Sequence, residues 1–456
     1  MVFSIDHKQV INQRQLAWLA SSVITSGGIL TLQNVLIRVS QMDAWYSYLL
    51  SIFYVFVIAA FFGYLAKVYP QKHIFEVSKE ILGVWGGTIV NLLILFHFWQ
   101  MVVRDISSMA KFSSTLLLHN TPLEILMLLP CLLLIYFGKG SMEVVARVND
   151  LFYPLFVITI IMMPLLLSNE FYIQLMTPSL TIPFQHLAAS NLLTLGGAGD
   201  VFILGAFLHM VYNANHIRSS IRHGTLLGIF LLTLLLFLII VVLGPKMPGN
   251  FLYPTYNLVQ MIHITDFLDR LDIIMLTIWF PTVACKIIAI YMALLLGISA
   301  IINERNYPIF NKPVALFIAI TTFLSFKSTT ELLSFSNFSS PIIVLIYQPL
   351  VMGLIFILSV RKQKKNPETV KSKDETDPTM NPSKQVKSRF TYKQWLWSGN
   401  LLLAFSTVCV TIGLMFSTYK PIIGIVCGLG FGCSLLLIGV TTYMEVSLLK
   451  QSQTGK

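Results

Sequence analysis

Apolar residues in this chain run in long blocks, with polar positions gathered between them. A helix needs about 20 mostly apolar residues to cross a bilayer. The pattern predicts twelve such spans, over 16–37, 45–66, 82–104, 122–138, 148–167, 187–212, 225–244, 271–300, 313–333, 339–360, 395–417 and 421–444. The third can run on toward residue 118 as a long tilted helix, and the fourth is short. The ninth is solidly apolar only over 313–326, so its last turn must carry Lys327 and Glu331 near an interface. The first run is too long for a signal peptide, is flanked by Lys8 and Arg14, and has no small-residue cleavage site after it, so it stays as a span.

Composition agrees with the pattern. Of the 456 residues, 55% are hydrophobic and 11% charged, too few charges to cover a soluble globule of this size. Collagen-like, disordered and disulfide-stapled secreted classes are excluded as well. The net charge of +11 is a topology signal. With the N-terminus placed inside, 23 of the 31 Lys and Arg fall in inside segments, and the loop 168–186 has none. Both termini are therefore expected in the cytosol, and the basic balance implies no nucleic-acid partner.

The expected organisation is a ten-helix core over 1–360, with repeat one at 11–167 and repeat two at 187–360. A basic cytosolic linker follows at 361–394, then two additional helices within 395–444 and a tail at 445–456. The linker opens with Arg361-Lys362-Gln363-Lys364-Lys365 and continues in Pro, Ser, Thr, Lys and Glu, which cannot bury enough apolar surface to fold alone.

Two spans carry a glycine pair near the middle. The first reads Thr25-Ser26-Gly27-Gly28, and the sixth Leu195-Gly196-Gly197-Ala198-Gly199-Asp200. Five spans separate the pairs, so the second unit enters the membrane in the opposite sense. This predicts a five-plus-five inverted repeat, with its first helix broken in each half and two extra C-terminal helices. Backbone that unwinds in lipid is tolerated only beside a cavity or ligand. Freed N–H groups suit a carboxylate and freed carbonyls an ammonium or cation, so a zwitterionic amino acid fits both. The competing explanation is close helix packing at the glycines.

Asp200 can neutralise a ligand ammonium or cap the second half-helix. Lys286 lies about 21 Å from either end of span 8, too deep to snorkel, so it must face the bundle interior and find a partner or lose its proton. It is either a functional cation beside the first broken helix or part of a structural ion pair. The candidate ligand-binding residues are Gly27, Gly28, Gly196, Gly197, Gly199, Asp200 and Lys286. Arg104-Asp105 is taken as structural, near an interface. Trp279, Phe280 and Tyr291 read as packing and interface aromatics. His209, His216 and His223 recur every seven residues, but the latter two sit in a basic loop with no carboxylate alongside, which argues against a metal site. The five cysteines fall in spans without a Cys-x-x-Cys pattern and read as small buried hydrophobes. No hydrolase, zinc-protease or P-loop pattern is present, and no cofactor is expected.

The residues at the start of the first span, Ile11-Asn-Gln-Arg-Gln15-Leu16, resemble the opening of the spore germination permeases. These are the B subunits of germinant receptors, within the amino acid–polyamine–organocation superfamily. More specific is Leu252-Tyr-Pro254-Thr leading into Phe267-Leu-Asp-Arg270-Leu-Asp272, then Trp279, Lys286 and Tyr291. The resemblance covers about residues 8–362. Members of that family usually end soon after span ten, so the linker and last two spans depart from it. The stretch Met176-Thr-Pro178-Ser keeps the family's proline but not the usual approach to it.

The resemblance implies a nutrient-sensing subunit in the inner membrane of a bacterial endospore, acting with a larger A subunit and a lipoprotein C subunit, whose ligand is an amino acid or similar nutrient. The runner-up is a proton-coupled amino-acid permease using the same site, although Asp200 and Lys286 are the only obvious titratable groups for a relay. An enzyme is a distant third.

Overall fold

The computed structural model describes residues 10–211, 213–262, 271–304, 306–365 and 391–454. Lys8, Arg305, Lys456, the 267–270 part of the motif and linker residues 366–390 lie outside the described residues.

All elements named here are helical, and apart from one isolated bridge between Ile11 and Val211 they form no strands. Twelve crossings can be traced among the described residues: ten long apolar helices, one bent pair and one shorter apolar helix. Span 1 comprises Gln13–Thr31 and Gln33–Tyr46, bent by 65°. Spans 2 to 5 are Leu49–Val68, Ile74–Leu116, Leu123–Phe137 and Met142–Leu166, span 6 is Phe184–Met210, and span 7 is Ala214–Leu243. Spans 8 to 12 are Leu271–Ile302, Tyr307–Ser325, Thr329–Lys364, Tyr392–Phe416 and Pro421–Thr454.

The local sequence accounts for several boundaries. Span 1 starts at Asn12, whose backbone N–H donates to Gln15 Oε1 at 3.0 Å in a capping box. Ile11 just before it is fully buried, and its N–H donates to the Met210 carbonyl at 2.8 Å, tying the entry of span 1 to the exit of span 6. Span 3 starts at Ile74, kinks at Gly83, whose φ of 76° is non-helical, and then runs on to Leu116, as its long pattern allowed. Span 9, by contrast, ends at Ser325, short of its predicted end. Ser328 and Glu331 start a new helix: the Glu331 N–H donates to Ser328 Oγ at 3.1 Å, and the Lys327 N–H to Glu331 Oε2 at 3.0 Å. Lys327 and Glu331 thus belong to the turn and first turn of span 10, because a Ser-x-x-Glu start signal outweighs the trailing apolar pattern.

The glycine pairs are not unwound. Span 1 stays α-helical through Gly27-Gly28 and bends at Leu32. Span 6 passes Thr194, makes a short α-helix over Leu195–Gly199 and tightens to a 3₁₀ helix over Asp200–Met210. An eleven-residue 3₁₀ run is unusually long for so strained a helix. Span 10 has its own irregularity, a π-helical turn at Phe335–Ser339. Irregular helices therefore meet where spans 1, 6 and 10 converge.

Span 1 packs closely on span 7. A Cβ at Gly228 would stand 2.9 Å from the Ser21 carbonyl, and Gly224 comes closer still to that of Ala17. Spans 11 and 12 form a hairpin seated on span 7 by a buried ion pair, Arg222 Nη1 to Glu445 Oε1 at 3.2 Å, with Asn400 Oδ1 accepting from Arg222 Nη2 at 3.2 Å and the guanidinium 4.3 Å from the Phe56 ring centre. Arg222, His216 and His223 lie within the helix of span 7, because that helix begins eleven residues earlier than its apolar run.

Candidate functional site

Four charged side chains meet at the centre of the molecule. Span 3 supplies Arg104 and Asp105, span 6 supplies Asp200 at the start of its 3₁₀ turn, and span 8 supplies Lys286. Lys286 Nζ lies 2.7 Å from Asp200 Oδ2 and 2.9 Å from Asp105 Oδ2. Arg104 Nη2 donates to the same Asp200 Oδ2 at 2.6 Å, Arg104 Nε to Asp105 Oδ1 at 2.8 Å, and Arg104 Nη1 to Ser340 Oγ at 3.2 Å. All four residues are buried, at no more than 6% exposure. Two cations and two carboxylates cancel in formal charge, which is how low-dielectric surroundings can hold them at all.

Beside this quartet lies a narrow cavity of about 40 Å³, which widens to about 580 Å³ when the open space around its mouth is included. Residues 26–28 and 30–32 of span 1 line it, with Leu193, Gly197 and Asp200 of span 6, Arg104, Asp105 and Ser108 of span 3, Trp279 of span 8, and Ser336 and Asn337 of span 10. The lining of span 1 extends past its glycine pair, whereas that of span 6 extends before its own. The two spans thus run in opposite senses beside one cavity, which lies on the side of the quartet away from the Ile11–Met210 contact.

The predicted glycines divide into two kinds. A Cβ at Gly27 would stand 2.9 Å from Lys286 Nζ, so that glycine is the clearance that admits the ammonium group. A Cβ at Gly197 would meet nothing within 4 Å, so this position faces open space. Gly28 lines the cavity but also packs, 3.0 Å from Leu232 Cδ1. Gly196 and Gly199 face span 10 instead, at 3.0 Å from Pro341 and 2.5 Å from Val344, and serve helix packing. Because the helices pack here, the glycine pairs do not offer the free backbone groups expected of them. Carbonyls near the bend are taken up: Ile29 O accepts from Thr255 Oγ1 at 2.9 Å, and Thr31 O from Asn337 Nδ2 at 2.9 Å. Side chains supply the chemistry.

Two polar atoms on the cavity wall stay unpartnered. Asp200 Oδ1 accepts no hydrogen bond, and Trp279 Nε1 donates none, although both are buried.

Asp200 and Lys286, expected as site residues, do meet. Arg104 and Asp105, placed near an interface from sequence, are instead at the centre. Four ionisable residues within spans whose charges cancel were the signal that could have found them. Phe280 packs as expected, its ring centre 5.1 Å from that of Trp279. Tyr291 is structural, its hydroxyl donating to the Asn311 carbonyl at 2.6 Å to hold span 8 against span 9.

Residues 10–364 match the family model described as "Spore germination protein". The YfkT protein of Bacillus subtilis (strain 168) is 26% identical over 324 residues, 71% of this chain and 89% of its own. Spore germination protein A2 of the same organism is 25% identical over 276 residues, 59% of this chain and 74% of its own. Among solved structures, the nucleobase-cation-symport-1 family transporter Mhp1, closed with bromovinylhydantoin bound, superposes with a TM-score of 0.56 over 96% of this chain and 94% of its own, at 12% identity. Its inward-facing conformation gives 0.51 over 96% and 91%, also at 12% identity. These structures share the fold of this chain.

Proposed function

The chain belongs to the spore germination protein family, and we propose that within it the chain is the nutrient-sensing membrane subunit of a germinant receptor, binding a small nutrient, foremost an amino acid, in the cavity between spans 1, 3, 6, 8 and 10. The observation that carries this reading is the charge quartet at the cavity wall. An ammonium group on the ligand is attracted to the free Oδ1 of Asp200, and a carboxylate competes for Arg104. Either contact redistributes ion pairs that join spans 3, 6 and 8. A ligand shifts a conformational equilibrium only by its differential affinity for the two states, and a set of exchangeable ion pairs supplies that difference.

In this proposal the subunit sits in the inner spore membrane with both termini cytosolic, as the Lys and Arg distribution supports. Its partners are the larger A subunit and the lipoprotein C subunit. The test is germination of spores with and without this gene against amino acids, sugars and nucleosides. Loss of response to one nutrient supports the reading, and unchanged responses to all of them contradict it.

The transporter fold favours a second reading, a permease that carries its ligand through. Uptake of the identified nutrient by reconstituted vesicles separates the two, since a receptor accumulates none.

A further inference from the structure

Trp279 is 2% exposed and lines the cavity, and its indole N–H has no acceptor. A buried donor left unsatisfied is costly, and such groups call for an explanation. Its ring is held edge-on by Phe112, with ring centres 5.3 Å apart, so the indole is fixed in direction. Trp279 also borders a second, much smaller gap of about 20 Å³, lined by Leu30, Phe112, Tyr256, Asp272, Met275 and Leu276 among others, which shares Leu30 and Trp279 with the first cavity. Asp200 lines the same cavity, and its Oδ1 is an unpartnered acceptor. The charged residues lining that cavity are Arg104, Asp105 and Asp200, and with Lys286 bound to both carboxylates their formal charges cancel.

We propose that Trp279 is the specificity-determining residue of this cavity: its N–H donates to an acceptor group on a small ligand of no net charge, whose donor end meets Asp200 Oδ1. The proposal takes the cavity to be the ligand site, as above, and adds what selects the ligand. A neutral ligand leaves the quartet balanced. A ligand with net charge adds an uncompensated buried charge. A ligand lacking the acceptor leaves the indole donor as unsatisfied as before.

The test is direct binding to the full-length protein in lipid nanodiscs, using the twenty amino acids, a set of nucleosides and a set of hexoses as probes. The expected result is saturable binding of an uncharged member, with lysine, arginine, aspartate and glutamate at least about tenfold weaker. Trp279→Phe removes the donor and keeps a ring, and should weaken that ligand about tenfold without moving the thermal midpoint of the unliganded protein. Trp279→His, which restores an N–H donor, should recover part of the affinity. If Trp279→Phe folds poorly, the His variant alone decides: affinity near wild type supports the donor role, and affinity lost in the folded protein overturns it. A charged amino acid as best ligand, or unchanged affinity in a folded Trp279→Phe protein, overturns the inference while the amino-acid site stands. A nucleoside or hexose that binds and depends on Trp279 supports the inference while removing the amino-acid assignment. Absence of saturable binding by any probe overturns both.

Discussion

The molecule holds two buried ionic centres of different character. Arg222 and Glu445 join span 7 to the C-terminal hairpin at 1% and 0% side-chain exposure, with Asn400 and the Phe56 ring also against the guanidinium. The quartet of Arg104, Asp105, Asp200 and Lys286 is buried almost as deeply, yet it opens onto a cavity. Buried charge by itself therefore marks no site. What distinguishes the quartet is adjoining space, kept open by Gly197, and partners in excess of one, so that an ion pair can be exchanged without leaving any charge alone. The first centre behaves as a clamp and the second as a receiver.

The sharpest way to break the comparison is to remove one partner from each. Arg222→Leu strands Glu445 in the packed protein interior, where loss of one partner of a buried pair costs about 3–5 kcal/mol. Membrane abundance should fall severely, and the double variant Arg222→Leu with Glu445→Leu should recover most of it. Immunoblots of the membrane fraction decide this. Wild-type abundance in the single variant would remove the clamp.

Lys286→Met should behave differently. Arg104 still bonds both Asp105 and Asp200, so neither carboxylate is left alone. Abundance should stay within about twofold of wild type, since the remaining cation limits the penalty, while the nutrient response is lost. If the protein is instead degraded, the quartet is a second clamp.

A smaller contrast concerns the glycines. Gly27→Ala places a methyl group 2.9 Å from Lys286 Nζ and should weaken the response several-fold by pushing the ammonium off its carboxylates. Gly197→Ala, with nothing within 4 Å of the new methyl group, should fold and respond nearly as wild type. Dose–response curves of spore germination measure both, and equal effects would mean that the two positions do not differ as described.

The smallest effect concerns pH at the face where Ile11 meets Met210. His73, the residue before span 3, is pulled down to about 4 by burial, and its ring lies 5.2 Å from that of His209. A histidine pKa below its unfolded value means that stability is full above about 6.5 and declines as pH falls toward 4, because the unfolded chain takes up the proton first. Lowering the pH from 7 to 5 should loosen this contact. Faster labelling of a cysteine placed at Ile11 would register the loosening, and a flat pH profile would contradict it.

Much of the fold was legible because lipid imposes long apolar runs, and these appear in sequence without help from tertiary contacts. The neighbourhood of the site was legible for the same reason: Asp200 and Lys286 are conspicuous inside such runs. What sequence did not show was the third dimension. Span 3 is long enough that Arg104 and Asp105, which looked peripheral, lie level with the quartet. Gly28, Gly196, Gly197 and Gly199 look equivalent in sequence, yet a Cβ on three of them would come within 3.0 Å of Leu232, Pro341 or Val344 and one on Gly197 would meet nothing, a distinction made by residues far away in the chain. The free N–H of Trp279 depends on what fails to reach it, which no pattern records.

This sorting of the glycines also selects the decisive variant. A bulky residue at Gly28 would collide with Leu232 and confound folding with binding. Gly197→Leu instead projects a side chain into open space on the cavity wall and fills the volume proposed for the ligand. The measurement is nutrient-triggered germination of spores carrying this variant at verified wild-type abundance. The account predicts that the response is abolished while the subunit persists in the membrane. A normal response at normal abundance would place the ligand elsewhere and contradict it.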